Sequence, residues 1–209
     1  SPMSRGLGDV YKRQIIFSWP IAGLFCGVIA FLIGKIALGL RSDYLAIATL
    51  GISEIIIYII KNEEWLARGV KNVNGLPRPV PYEIDLQKNE FIQTLSNTLN
   101  LSVIELSSLI VKGLYSILFI LVLLIIFFLL QKAIKSPWGR MMRAVRDNEI
   151  SAEAMGINVK KRHLQVFIIG SAIIGISGAM LTTLDGQFTP SSYQPLRYTF
   201  LIWIMVIIG

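Results

Sequence analysis

Long apolar runs alternate with short charged or turn-rich stretches along this chain. The first run, Ile15 to Leu40, is charged only at Lys35, and the second, Tyr44 to Ile60, only at Glu54. The third, Gly113 to Leu130, and the fourth, Leu164 to Leu184, carry no charge, and a fifth begins near Leu196 and stops within an apolar run at Gly209. An α-helix needs roughly 20 apolar residues to cross a bilayer. None of these runs alternates with the period of two that barrel strands require. The pattern predicts an all-α polytopic membrane protein with about five transmembrane helices, the last one truncated. On the fourth run Phe167, Ile174 and Leu181 recur every seven residues, while Ser171, Gly175, Gly178, Ala179 and Thr182 supply a small side suited to helix contact. "GLFCG" (Gly23 to Gly27) offers the same small spacing in the first run.

Three stretches break the apolar pattern. After Arg41, the residues Ser42 and Asp43 suit a tight turn, with Asp43 as a helix cap. Residues 61–112 form an extended loop. "GVKNVNGLPRPVP" (Gly69 to Pro81) has no period, and Phe91, Leu95, Leu99, Leu101 and Ile104 predict a surface or interfacial helix over 90–105. Residues 131–163 contain a compact charged segment, "SPWGRMMRAVRDNEISAEAMGIN", from Ser136 to Asn158. It punctuates as two short helices. Pro137 follows a capping Ser136, and Trp138, Met141, Met142 and Val145 share one side, largely opposite Arg140, Arg143 and Arg146. Asp147 and Asn148 can cap a second helix over Ile150 to Met155, and Gly156 suits the left-handed position that ends it.

Composition agrees. The chain is 54% hydrophobic and 16% charged, with mean hydropathy +0.62; soluble domains carry about 25% charged residues. The net charge of +7 reflects topology rather than a nucleic-acid partner. Within 131–163, Lys132, Lys135, Arg140, Arg143, Arg146, Lys160, Lys161 and Arg162 stand against Asp147, Glu149 and Glu153, while the charges of 61–112 cancel. The positive-inside rule therefore places 131–163 in the cytoplasm and 61–112 outside, in the periplasm of a two-membrane cell. Lone Cys26 excludes an intramolecular disulfide, and lone His163, beside "KKR", is an interfacial residue rather than a metal ligand. Trp19 and Trp203 are packing or interface aromatics. No P-loop, H-E-x-x-H, G-x-S-x-G or Cys/His cluster occurs, so the chain shows no catalytic equipment and no bound cofactor is expected. "DVYKRQ" (Asp9 to Gln14) matches the translation of a transposase-end adaptor, which marks residues 1–14 as a probable sequencing or cloning artefact and 15–209 as the transmembrane part of a longer protein.

"SPWGRMMRAVRDNEISAEAMGINVKKRHLQVFIIGSAIIGISGAM" and "LRSDYLAIATLGISEIIIYIIKNEEWLARGVKNVNGLPRP" resemble, in that family's order, permease subunits of bacterial branched-chain amino acid ABC transporters of the LivM type. The resemblance runs from about Ile15 onward. It implies an ABC importer permease fold in the bacterial inner membrane. It also implies two cytoplasmic ATPase subunits that hydrolyse ATP, a second permease subunit of the LivH type, a periplasmic amino-acid-binding protein and contact with membrane lipid. It assigns 131–163 as the cytoplasmic coupling loop. Its "EAA…G" motif, anchored on Gly156, falls on Ile150, Ser151 and Ala152; the motif glutamate is absent at Ile150 and flanked by Glu149 and Glu153. The coupling residues are thus Arg140, Arg143, Arg146, Glu149, Ile150, Ser151, Ala152, Glu153, Ala154 and Gly156.

Glu54 is costly inside a membrane and therefore a functional candidate. With Ser53 and Thr49 it could line the translocation path, pair structurally with a neighbour, or relay a proton. Leucine, isoleucine or valine is the expected cargo, with urea, short amides or other amino acids as alternatives. An ion-coupled secondary transporter using Glu54, or a scaffold that moves no substrate, are the rival functions. The Ala and Met side chains of the second short helix are expected to be the knobs offered to a partner. Exchanging Ala152 for a bulky charged residue should then abolish uptake while leaving insertion intact.

Overall fold

In the computed structural model every long apolar run is helical; the structure describes residues 2–40, 42–64, 73–74, 76, 78–99, 101–189 and 195–208. The order is α1 (Pro2–Ala37), α2 (Ser42–Asn62), β1 (Val73–Asn74), α3 (Glu83–Gln87), α4 (Glu90–Leu99), α5 (Val103–Lys135), α6 (Pro137–Asp147), α7 (Glu149–Ala154), α8 (Val159–Asp185), β2 (Gln187–Phe188) and α9 (Pro195–Ile208). Among the described residues four helices are long and apolar enough to cross a membrane: Phe17–Ala37, Tyr44–Asn62, Val103–Lys135 and Val159–Asp185. The fifth expected span is α9, whose 14 residues reach about 21 Å, short of the roughly 30 Å apolar core. The protein is an all-α, multi-pass membrane protein. The side chain of Asp43, the expected cap, and loop residues 65–72 lie outside the described residues.

The tightest packing joins α1 to α8, antiparallel, and glycines permit it. A Cβ at Gly23 would lie 2.7 Å from Ile176, one at Gly34 2.6 Å from Leu164, and one at Gly175 2.6 Å from the Cys26 Sγ. Between hydrocarbon-facing helices this close approach supplies the dispersion contact that holds the pair, because burial from water cannot. Trp19, Ala30 and Ala37 of α1 are buried. The small side expected on the fourth run does face a helix at Gly175. Gly178, however, has nothing within 4 Å of a built Cβ and lines an apolar groove of about 660 Å³ between α1, α2 and α8.

α5 begins ten residues before the expected Gly113 start. Ser102 Oγ accepts from the Glu105 N–H at 3.2 Å, and the Glu105 carboxylate accepts from the Ser102 N–H at 3.2 Å. This reciprocal capping box starts a helix wherever the pattern S-x-x-E precedes an apolar run. The helix expected over 90–105 is therefore two elements, α4 ending at Leu99 and α5 starting at Val103. The end of the spans far from residues 136–158 is stitched together by backbone and packing. β1 pairs antiparallel with β2, the Leu76 N–H donates to Gly186 O, and the Tyr115 hydroxyl donates to Thr183 O at 3.3 Å. Val80, Val111 and Tyr115 form a buried cluster with Leu86 and Phe119 against it.

Gly175→Ala should therefore loosen the α1–α8 pair, since overpacking costs about 1–3 kcal/mol, whereas Gly170→Ala meets no atom within 4 Å. In detergent-solubilised protein the first variant is expected to melt at least about 3 °C lower and the second no lower than the parent.

Candidate functional site in the charged segment between two spans

The segment joining α5 to α8 is built from two caps, one tight bend and a small apolar knot. Ser136 ends α5 and begins α6 at once. Its hydroxyl donates back to Ala133 O at 2.6 Å, and its oxygen accepts no N–H from α6, contrary to expectation; Pro137 at the first position starts that helix instead. The bend is closed by Gly139, where any Cβ would overlap the Ile134 backbone.

α6 is amphipathic as expected. Val145 and Gly139 are buried, Trp138, Met141 and Met142 are half-buried, and Arg140, Arg143 and Arg146 are exposed. The Arg146–Asp147 pair at 3.0 Å is a surface contact of small energetic weight. Asn148 then caps α7, its Oδ1 accepting from the Ser151 N–H at 2.9 Å. Gly156 ends the turn at φ 85°, the left-handed position that favours glycine. Asn158 repeats the device for α8, accepting from the Lys161 N–H at 2.9 Å.

Val145, Ala152 and Val159 bury one another, with Ile157 packed against them. This corrects one expectation. Ala152 is 3% exposed and serves the segment's own knot, so it is not a knob offered outward. A six-residue helix has an inward side, and the alanine occupies it because a larger side chain would part α6 from α8. Ile150 and Met155 are the outward groups, 82% and 83% exposed. Glu149, Ser151, Glu153 and Ala154 are also exposed. His163 sits on the first turns of α8 with Nε2 3.5 Å from Glu149 Oε1, an ion pair only when the imidazole is protonated.

Two residues that the sequence reading did not single out complete the joint. Gly139 sets the bend. Gln165, on α8, accepts at Oε1 from Trp138 Nε1 at 3.1 Å and from Arg162 Nη1 at 2.9 Å. A glycine two positions after the proline at a span end was the available signal for the first; for the second nothing local was.

The path candidates on α2 divide. Ser53 lines the groove shared with α1 and α8, and its hydroxyl donates to Leu50 O at 2.7 Å. Thr49 donates to Ala46 O at 3.0 Å. Glu54 is exposed beside Ile55, Tyr58 and Lys61. The groove thus holds Ser53 but not Glu54 or Thr49.

Because a buried unpaired carboxylate is strongly destabilising, Ala152→Asp should open the knot, while Ile150→Asp adds a charge where water already is. Protease applied to the detergent-solubilised protein should cut the first variant within 136–158 at least about tenfold faster than the parent; the second should cut like the parent.

Comparison with known proteins fits this architecture. The model of the family described as branched-chain amino acid transport system / permease component matches residues 3–209. The high-affinity branched-chain amino acid transport system permease protein LivM of Escherichia coli strain K12 is 30% identical over 193 residues, 91% of this chain and 45% of its own length. LivM of Salmonella typhimurium strain LT2 is 28% identical over 91% of this chain and 45% of its own. The probable branched-chain amino acid transport permease protein LivM of Methanocaldococcus jannaschii is 24% identical over 94% of this chain and 54% of its own. The chain thus spans about half the length of the curated relatives it matches. No solved structure gives a significant match. With four membrane-length helices among the described residues and a family match over nearly its whole length, the chain belongs to the permease component family of branched-chain amino acid transport systems.

Proposed function

We propose that this chain forms part of the translocation unit of an ATP-driven importer of leucine, isoleucine or valine, or of related amino acids. The carrying observation is the placement of α7. It is a capped, glycine-terminated turn between two spans, with Ile150 and Met155 bare to solvent and Ala152 anchored in the knot beneath. Exposed apolar groups at the tip of a held turn are what a groove on a soluble partner would engage. The partners are two cytoplasmic ATPase subunits at this face, a LivH-type second permease subunit alongside, and a periplasmic amino-acid-binding protein at the opposite face. The seat is the bacterial inner membrane. ATP is bound and hydrolysed by the partners, and this chain contributes positioning and a route, not catalysis.

In this mechanism closure of the ATPases pushes on Ile150 and Met155. The knot carries that push to α6 and to the start of α8. α5 and α8 then tilt, and access to the route alternates between the two faces. The groove beside Ser53 has a predominantly apolar lining that suits branched aliphatic side chains.

Ile150→Glu in the full-length, assembled transporter should lower ATP-dependent leucine uptake at least about tenfold, as for loss of an apolar anchor at an interface centre, with membrane levels unchanged. Uptake that follows an ion gradient without ATP would replace this reading with a Glu54-dependent secondary transporter. Partner binding with no uptake would replace it with a scaffold.

A further inference from the structure

Force applied at α7 has two covalent ways out of the segment. One runs back through α6 to the end of α5 at Ser136, and the other runs through Gly156 and Asn158 into α8. Each passes through a break in the helix, and a chain of helices joined only at breaks folds up under load. A strut between non-adjacent members removes that freedom. The Trp138–Gln165 bond is such a strut. It joins the first turn of α6, directly beside α5, to the second turn of α8, 27 residues on. It closes α6, α7 and the base of α8 into a ring whose opposite side is the Val145–Ala152–Val159 knot.

The chemistry of the strut is specific. Trp138 Nε1 and the Arg162 guanidinium are donors with no acceptor capacity. Both reach the same Gln165 Oε1, at 3.1 and 2.9 Å, and all three groups are part-buried. The site therefore needs an acceptor oxygen at position 165 and makes no use of the amide nitrogen. A charge-assisted bond from the guanidinium fixes the orientation of that oxygen, and its partial removal from water strengthens both bonds. Arg162 is held besides by its backbone, whose N–H donates to Asn158 O in the first turn of α8. Above the strut, α8 is locked to α1, since Gly34 lies against Leu164 and Phe167. A displacement passed through Gln165 is thus delivered to α5, α8 and α1 together.

We propose that Gln165 is a positioning residue for coupling: its side-chain oxygen, held between Trp138 and Arg162, locks α6 to α8 so that movement of α7 is transmitted to the spans instead of being absorbed in the bends. This rests on the ATP-coupled reading above. The predicted defect is therefore uncoupling rather than unfolding. ATP hydrolysis by the partner subunits persists while substrate movement per ATP falls.

The test uses the full transporter, assembled with its ATPase subunits and reconstituted in liposomes, with leucine uptake and ATP hydrolysis measured on the same sample. Gln165→Leu should lower leucine moved per ATP by about tenfold, the factor expected for loss of one or two such hydrogen bonds, with hydrolysis retained. Gln165→Glu keeps the acceptor and should restore the ratio to within about twofold of the parent. Trp138→Phe removes the donor but keeps a ring, and should reproduce the leucine variant. Combining Trp138→Phe with Gln165→Leu should add little beyond either alone. A parent transporter that shows no ATP-dependent uptake overturns the ATP-coupled reading itself. A parent that transports, with Gln165→Leu and Trp138→Phe both keeping its ratio, overturns the strut alone. Should Gln165→Leu fail to assemble, Trp138→Phe decides: a normal ratio in that variant overturns the proposal, and a lowered ratio with normal hydrolysis supports it. Equal uncoupling in Gln165→Glu and Gln165→Leu also overturns it, because the acceptor would then be irrelevant.

Discussion

The close approach of α1 and α8 is the constraint on which the rest of this structure depends. Lipid is as apolar as leucine, so helices in a membrane gain little by hiding apolar surface from it and gain mainly by touching one another closely. Gly23, Gly27 and Gly175 let the two backbones approach closely, and Gly34 takes the Leu164 and Phe167 side chains against it. α2 leaves a groove against this pair. α5 meets it chiefly at the end far from residues 136–158, where Trp19 stacks edge-on to Phe119 and Tyr115 bonds to Thr183. A rigid pair with looser neighbours is a frame in which one body can move against another.

The charged segment attaches to this frame at its other end with little slack. Two asparagine caps, one left-handed glycine, one glycine bend and a three-residue knot fix the course of residues 136–158. Among the exposed residues of this turn, Ile150 and Met155 are the large apolar ones, beside the polar Glu149, Ser151 and Glu153. Basic residues Arg140, Arg143 and Arg146 lie on the solvent side of α6, so charge and packing occupy different faces of one short helix. This division lets a single segment satisfy the positive-inside rule and hold a fixed shape.

Much of this was legible in the sequence because it depends on period and on local chemistry. Spans follow from apolar length, Asn148 and Gly156 from capping rules, and the inward Val145 from its spacing with Trp138, Met141 and Met142. What was not legible depends on which groups meet across distance. Ala152 reads equally well as a knob or as a filler, and only the presence of Val145 and Val159 beside it settles that it is a filler. Gln165 looks like an ordinary polar residue near a span end until Trp138 is seen 3.1 Å away. Ser136 looks like a cap for α6 because the rule does not say which of two adjoining helices its hydroxyl serves. The early start of α5 was available in "SVIE" (Ser102 to Glu105), but the apolar run further on drew the boundary toward itself. Glu54 drew notice as a charge in a span, yet its side of α2 is decided by helix packing, which leaves Ser53 in the groove and Glu54 outside it.

The central claim is that α7 is the face a soluble partner grips, through Ile150 rather than Ala152. The most direct measurement is cross-linking from a single engineered cysteine in the assembled transporter, with Cys26 replaced by alanine. The account predicts that Ile150→Cys cross-links to an ATPase subunit and that Ala152→Cys does not. Cross-linking from position 152 with none from 150, or labelling of position 150 by a membrane-impermeant thiol reagent from the outer face, would contradict it.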